Sequence, residues 1–183
     1  MVTPSNLKAI TLAGLIAVGL LVQAILSHAA GSETLTVAGG CFWCVEADFE
    51  KVKGVKGAVS GFAGGKKENP TYKQVTSGGT GHYEAVQITF DPAVVSADTL
   101  LDLFFRSVDP TDAGGQFCDR SDSYRTAIFT TDSQIAVAEQ AKAKAQSDLG
   151  KKIVTPVLGE TKFYPAEAYH QDYAKGSKLV ITL

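Results

Sequence analysis

The order of secondary-structure signals after residue 33 predicts an α+β domain with helices packed on a mostly antiparallel sheet. Apolar and polar residues alternate through 84–90, which is typical of a strand with one buried face. Through 42–53, apolar residues recur at three- and four-residue spacing, which is typical of a helix. The whole order resembles a split β-α-β, ferredoxin-like two-layer sandwich with extra loops.

Glycine, proline and capping residues mark where the predicted elements begin and end. Gly54 ends the first helix, Ser96 is the predicted N-cap of the second long helix, and Gly150 ends the third. Pro156 makes the last strand an edge strand or a bulged one. The predicted strands are 35–38, 55–62, 84–90, 125–130 and 153–158, the helices are 42–53, 71–76, 96–107 and 133–149, and the tail at 163–173 is irregular or helical.

Composition is that of an ordinary globular protein. The 183 residues are 45% hydrophobic and 20% charged, and residues 33–183 contain no linker or internal repeat, so we expect one domain there. The net charge is −2 and the basic residues are dispersed, so no nucleic-acid partner is expected. We expect the domain to be a monomer.

Residues 1–29 differ in kind from the rest of the chain. Lys8 precedes an uncharged apolar run, and Ala29 and Ala30 supply small residues for cleavage, which predicts a secretory signal peptide. The apolar run is about 18 residues long, the lower limit for spanning a bilayer, so an uncleaved anchor is the alternative. Both interpretations place the domain outside the cytoplasm, in a periplasmic or similar space, with membrane contact only through this segment.

Cys41 is the predicted nucleophile. The chain has three cysteines, Cys41, Cys44 and Cys118, and an odd number in an exported chain leaves at least one thiol outside any structural disulfide. Cys41 follows a predicted strand and Gly39-Gly40 and opens a predicted helix. The free N–H groups of a helix N-terminus favour a thiolate, and the glycines leave the sulfur accessible.

Cys41 and Cys44 form a C-x-x-C pair, which alone is ambiguous. A zinc site would need two further ligands, and no second paired motif supplies them. A thioredoxin-like thiol-disulfide oxidoreductase has the same strand-turn-helix placement and is the serious alternative. Phe42 and Trp43 are bulky for a site that admits a partner's disulfide, but they suit the wall of a pocket for a methyl group.

Glu84 begins a strand whose apolar neighbours face inward, so its carboxyl should be desolvated and could act as a general acid. An exposed strand-end glutamate or a carboxylate capping a turn is an equally good interpretation of the spacing. Tyr72, Tyr124 and Asp119 lie in turn-rich segments and, taken singly, are ordinary hydrogen-bonding residues. His170 is interpreted first as structural.

Together these residues resemble the peptide methionine sulfoxide reductase A family. The resemblance extends over essentially the whole chain after the predicted signal peptide. It rests on four segments: Gly-Gly-Cys-Phe-Trp-Cys at 39–44, Asn-Pro-Thr-Tyr at 69–72 leading to Thr-Gly-His-Tyr-Glu at 80–84, Ser-Tyr-Arg-Thr-Ala-Ile-Phe at 123–129, and Phe-Tyr-Pro-Ala-Glu-Ala-Tyr-His-Gln at 163–171.

The resemblance implies reduction of methionine-S-sulfoxide in proteins, and of the free amino acid. Cys41 would attack the sulfur while Glu84 protonates the oxygen, assisted by the hydroxyls of Tyr72 and Tyr124. Methionine would leave with a sulfenic acid on Cys41. No metal or organic cofactor is implied, and the electrons would come from a thioredoxin-like or dithiol reductant.

The resemblance also implies substrate-binding residues: Phe42 and Trp43 around the methyl group, and Asp119 beside it. Two departures from the family pattern concern the resolving thiol. Cys44 stands where glycine is frequent, and no cysteine lies near the C-terminus. Resolution therefore falls to Cys44, which we favour, or to Cys118.

Two other classes of function remain as alternatives. One is a thiol-disulfide oxidoreductase that uses the Cys41/Cys44 pair directly. The other is a binding module that recognises oxidised methionine without turning it over.

Overall fold

The computed structural model describes residues 31–176. The predicted signal peptide or anchor at 1–29 lies outside the described residues, as does the end of the predicted domain, 177–183. Within the described part, no helix is both long and apolar enough to cross a membrane.

Six strands and five helices form the described part of the chain, together with two short 3₁₀ helices, Asp122–Tyr124 and Ala168–His170. The main hydrophobic core lies on one face of the sheet, and the other face carries a smaller apolar cluster. The strands are β1 (Glu33–Gly39), β2 (Val55–Ala63), β3 (Tyr83–Phe90), β4 (Thr126–Thr130), β5 (Val157–Gly159) and β6 (Tyr164–Pro165), and the helices are α1 (Phe42–Glu50), α2 (Tyr72–Thr76), α3 (Ala97–Ser107), α4 (Ile135–Leu149) and α5 (Tyr173–Gly176).

The strands form one mixed sheet in the order β5-β4-β1-β3-β2-β6. β4 and β5 pair in parallel, whereas the other neighbouring pairs are antiparallel. The predicted mostly antiparallel sheet is therefore corrected to a mixed one, because α4 carries the chain across and returns it in the same direction. β1 and β2, which are joined by α1, are separated in the sheet by β3. This is one feature of a split β-α-β unit, and the ferredoxin-like fold as a whole stays a prediction.

The main core lies between the sheet and α1, α3 and α4. Phe42 and Phe49 of α1 pack with Val86, Ile88 and Phe90 of β3, all essentially without solvent exposure. Glu84 has the same strand parity as these apolar residues, so its side chain enters the end of this core. The opposite face is a smaller layer, consisting of Ala38, Ala63, Ala85, Ala127 and Phe129.

Several predicted boundaries are wrong in detail. The first helix ends at Glu50 rather than near residue 53, because the chain already turns at Lys51. Most of the predicted strand at 153–158 is irregular, and only Val157–Gly159 pairs with β4. Two predicted caps are confirmed: Ser96 Oγ accepts the Thr99 N–H at 3.2 Å, and Gly150 ends α4 with φ +63°.

Candidate active site

Cys41 stands at the N-cap of α1, immediately after a turn that requires glycine. Gly40 has φ +86°, and a Cβ there would lie 2.6 Å from the Cβ of Gln116. The carbonyl of Cys41 accepts the N–H groups of Cys44 at 3.1 Å and Val45 at 3.3 Å, which begins the helix. The sequence prediction that this sulfur lies at a helix N-terminus is therefore confirmed.

The two thiols of the C-x-x-C pair are hydrogen-bonded and titrate as a pair. The hydrogen bond donated by the Cys41 thiol lowers the pKa of Cys44, although burial and nearby carboxylates oppose this effect. The same hydrogen bond, followed by burial, raises the pKa of Cys41. The prediction that the helix N-terminus favours the thiolate of Cys41 is therefore wrong for the free pair, because the hydrogen bond to Cys44 and burial both favour the protonated Cys41 thiol.

All three cysteines line one cavity of about 170 Å³, together with Asp119. Cys118 is exposed, whereas Cys41 and Cys44 are half-buried. A tight turn closed by two backbone hydrogen bonds between Gln116 and Asp119, of 2.9 and 2.8 Å, carries Cys118. The fold thus brings Cys118, the alternative resolving thiol, to the same cavity as the pair.

Glu84 reaches the N-terminus of α1 from β3. Its side chain is 1% exposed, and Oε2 accepts the backbone N–H of Phe42 at 3.1 Å. Oε1 is buried without a hydrogen-bond partner among the described residues. Burial is the main cause that raises the pKa of Glu84 to about 8, and the charges of Cys41 and Asp119 add to it. The inward orientation predicted from strand periodicity is confirmed.

Two tyrosine hydroxyls surround this carboxyl. Burial and the charge of Glu84 raise the pKa of both Tyr72 and Tyr124, which interact with each other through their hydroxyls. The Tyr124 hydroxyl also interacts with the ionised form of Glu84, which lowers the pKa of that carboxyl. Glu167 fixes Tyr72 at the start of α2, because its carboxylate oxygens accept the Tyr72 N–H at 3.2 and 3.3 Å.

An aromatic cluster forms the other side of the site. Trp43 lies 5.8 Å from Phe42 and 6.1 Å from Tyr72, measured between ring centroids. Its indole Nε1 is buried without a hydrogen-bond partner among the described residues. His170 packs against Tyr72 at 4.3 Å, and Tyr173 stacks on Trp43 at 4.0 Å. Burial lowers the pKa of His170, which favours the neutral ring.

The fold thus brings together all nine predicted site residues around the start of α1. His170 and Tyr173 were missed as members of the cluster, although His170 lies in one of the segments that carry the family resemblance. No local pattern identifies them, because they reach the site from the far end of the chain. Among the described residues, the one group that could hold a metal is Glu46, Glu50 and Asp172, and it contains no cysteine.

A thiol at a helix N-terminus with a second thiol hydrogen-bonded to it is the site of a cysteine-dependent oxidoreductase, and a buried carboxyl with pKa about 8 lies beside it. The family model described as peptide methionine sulfoxide reductase matches residues 33–180, and the chain belongs to this family. The predicted family and its activity, cysteine-based reduction of methionine sulfoxide, are thereby confirmed.

Individual relatives agree with this assignment. The peptide methionine sulfoxide reductase MsrA 2 of Rhizobium meliloti is 51% identical over 150 residues, which cover 81% of this chain and 75% of the relative. Mxr1 of Saccharomyces cerevisiae in reduced form has a TM-score of 0.75 and 33% identity, covering 80% of this chain and 86% of Mxr1. Mxr1 in complex with Trx2 matches with a TM-score of 0.54 and 26% identity, and the match covers 79% of this chain and 86% of Mxr1.

Proposed function

We propose that this enzyme reduces the S epimer of methionine sulfoxide in proteins and as the free amino acid, with Cys41 as nucleophile and Glu84 as general acid. One observation carries the proposal: a buried carboxyl with pKa about 8 has one unpartnered oxygen beside the nucleophilic thiol. A sulfoxide is a poor electrophile until its oxygen is protonated, so a neutral carboxyl is the group this reaction needs.

The chemistry begins with the proton shared by the two thiols. It moves to Cys44, and the Cys41 sulfur attacks the sulfoxide sulfur while Glu84 protonates the sulfoxide oxygen. The attack forms a sulfur–sulfur bond between Cys41 and the substrate. The protonated oxygen then passes from the substrate sulfur to Cys41 as the substrate sulfur–oxygen bond and the new sulfur–sulfur bond break, so that methionine leaves and Cys41 is a sulfenic acid. The substrate is reduced by two electrons, and Cys41 is oxidised by the same two.

The remaining site residues hold the substrate. The hydroxyls of Tyr72 and Tyr124 donate hydrogen bonds to the sulfoxide oxygen near Glu84. Phe42 and Trp43 enclose the methyl group, since apolar ring faces suit a group that cannot form hydrogen bonds. Asp119, on the wall of the cysteine cavity, contacts the part of the substrate nearest the thiols.

Cys44 is the resolving thiol in this proposal. It is already hydrogen-bonded to Cys41, its pKa is lowered, and a disulfide with Cys41 forms when its thiolate attacks the sulfenic sulfur and releases water. Cys118 lines the same cavity and is the alternative.

Mass analysis after one equivalent of S-sulfoxide tests the assignment. We expect a Cys41–Cys44 disulfide in the wild type. Cys44→Ser should release one methionine per enzyme and then stop, whereas Cys118→Ser should keep turning over with a thioredoxin-type reductant. The opposite behaviour of the two variants would transfer the resolving role to Cys118.

A thiol-disulfide oxidoreductase is the second candidate, because the C-x-x-C pair at a helix N-terminus also suits disulfide exchange. Such a reaction has no use for a buried acid, so Glu84→Gln should leave it intact and abolish sulfoxide reduction. Insulin reduction, measured beside reduction of a methyl sulfoxide, separates the two.

An external thioredoxin-like protein supplies the electrons, and no bound cofactor takes part. The support is that Mxr1, a relative, has been crystallised with Trx2. The enzyme acts as a monomer on exported proteins, in a periplasmic or similar space, because residues 1–29 have the pattern of a signal peptide or anchor. Cell fractionation with N-terminal sequencing of the mature protein tests this location. Full-length enzyme in the cytoplasmic fraction would contradict it.

A further inference from the structure

The second turn of α1 carries a buried carboxyl that sulfoxide chemistry does not use. Glu46 is 2% exposed, and both of its oxygens accept hydrogen bonds. Oε2 accepts the hydroxyl of Ser60 on β2 at 2.6 Å, and Oε1 accepts the backbone N–H of Asp172 at 3.1 Å. A carboxylate occupied on both sides is suited to holding two elements together rather than to giving up a proton.

Asp172 marks a sharp turn of the chain. Its φ of +54° lies in the left-handed region, which aspartate tolerates better than most residues. The turn leads directly into α5, whose first residue is Tyr173. The Tyr173 ring stacks on Trp43 with centroids 4.0 Å apart and an interplanar angle of 16°. The residue that Glu46 holds is therefore the one that directs Tyr173 onto the indole.

A second contact strengthens this connection at the neighbouring position. The Gln171 side-chain oxygen accepts the Ser60 N–H at 3.0 Å, and its amide nitrogen donates to the Ser60 carbonyl at 3.0 Å. The Ser60 Oγ also lies 3.4 Å from the carbonyl oxygen of Phe42. Ser60 thus links the helix that carries the cysteines to the turn at 171–172.

The exposed ion pairs of the same region are a weaker alternative for this role. The ammonium of Lys175 contacts Glu50 at 2.8 Å and Asp172 at 2.6 Å, but its side chain is 60% exposed. Exposed pairs of this kind contribute little, since water screens them and the long side chains lose entropy. The buried hydrogen bond that Glu46 accepts from the Asp172 N–H should therefore hold the turn at 171–172.

We propose that Glu46 is a positioning residue that holds the turn at Asp172, sets Tyr173 against Trp43 and thereby shapes the pocket for the substrate methyl group. The inference rests on the proposed role of Trp43 in that pocket. It concerns substrate binding and leaves proton transfer to Glu84. Loss of Glu46 should therefore raise KM far more than it lowers the rate of the first turnover.

The chain has a single tryptophan, so its fluorescence reports on Trp43 directly. In the full chain, Glu46→Ala should shift Trp43 emission to longer wavelength and raise acrylamide quenching. KM for a methyl sulfoxide substrate should rise about fivefold to tenfold, with the first-turnover rate at saturation changed by less than about threefold. Glu46→Gln should restore both, because the amide can accept from Asp172 and donate to Ser60.

Glu50→Gln is the matched control, since it removes a half-buried acid from the same helix, and that acid also contacts α5. It should leave emission and KM unchanged. Unchanged emission and KM in Glu46→Ala, or equal losses in Glu50→Gln, would overturn the inference. A shifted emission with an unchanged KM would support the placement of the indole by Glu46 and instead refute the methyl-pocket role of Trp43.

A second pair of variants covers the case in which Glu46→Ala fails to fold. Glu46→Asp is one methylene shorter and can reach only one of its two partners, so an intermediate KM is expected. Tyr173→Ala removes the stacked ring with Glu46 intact and should reproduce the emission shift and the rise in KM. Wild-type emission and KM in Tyr173→Ala would overturn the inference.

Discussion

Two buried glutamates serve α1, Glu84 at its N-terminus and Glu46 in its second turn, and the two carboxyls differ in what their oxygens contact. Glu84 accepts one backbone N–H from Phe42 and keeps Oε1 unpartnered, and its pKa is raised to about 8. Glu46 accepts from Ser60 and Asp172 with both oxygens. Burial is the main cause that raises the pKa of both. With similar burial, a carboxyl that has one unpartnered oxygen is suited to donate a proton, and a carboxyl whose two oxygens both accept hydrogen bonds is suited to anchor the chain.

The largest expected effect comes from removing the acid at the start of the helix. Glu84→Gln keeps the hydrogen bond with Phe42 but cannot transfer a proton, so the first-turnover rate should fall by about 10²- to 10⁴-fold. Rapid mixing with methyl sulfoxide, without reductant, measures it. Glu46→Gln is the control and should stay within about threefold of wild type. Similar losses in the two variants would remove the distinction between the glutamates.

The pH dependence of the same step should sharpen the comparison. Only protonated Glu84 can act, and its pKa is about 8, so the first-turnover rate is retained below pH 8 and lost above it. The expected decline is about tenfold per pH unit on the alkaline side. Glu46→Gln should keep this alkaline limb and Glu84→Gln should lack it. An alkaline limb that survives in Glu84→Gln would assign the titration to another group.

These two glutamates also show what local sequence patterns can predict. The inward orientation of Glu84 follows from its parity with Val86 and Ile88 on one strand, and the reactivity of Cys41 follows from the strand-glycine-helix order. Both are short-range features. The proposal that the carboxyl is an acid rests on its burial and its unpartnered oxygen, which the local pattern does not show.

Glu46 could not be assigned in this way, because Asp172 is 126 residues away in the chain. Contacts of that range depend on the path of the whole C-terminal segment, which no periodicity encodes. The same reason applies to Tyr173 against Trp43, and to the parallel pairing of β4 with β5. Helix and strand identities were thus predictable, whereas the second wall of the site and the sheet edge were not.

The tyrosine hydroxyls should tune the acid by a smaller amount. The Tyr124 hydroxyl lowers the pKa of Glu84, so Tyr124→Phe should move the alkaline limb to higher pH. Loss of one hydrogen bond to the sulfoxide oxygen should lower the rate at pH 7 by about two- to tenfold. Tyr164→Phe, on the edge strand β6, is the control and should change neither quantity. If the alkaline limb of Tyr124→Phe moves to lower pH, the Tyr124 hydroxyl raises the pKa of Glu84 instead of lowering it.

The smallest effect on activity is expected from Ser60→Ala, which tests the structural role of Glu46 rather than the acid Glu84. The Ser60 hydroxyl lowers the pKa of Glu46. Its removal leaves a buried carboxylate oxygen of Glu46 without a hydrogen bond, which should lower the free energy of unfolding by about 1–3 kcal/mol. Protonation of Glu46 relieves that cost, so the native pKa rises further in the variant and the loss of stability grows as pH increases through it. Urea unfolding at pH 5 and pH 8 measures how much stability the variant loses at each pH.

Ser77→Ala is the control for Ser60→Ala. It removes an exposed hydroxyl that donates to the carbonyl of Lys73 and should show no such pH dependence. A larger loss at pH 5 than at pH 8 would mean that Glu46 is held as a neutral acid, and the contrast with Glu84 would then rest on contacts alone.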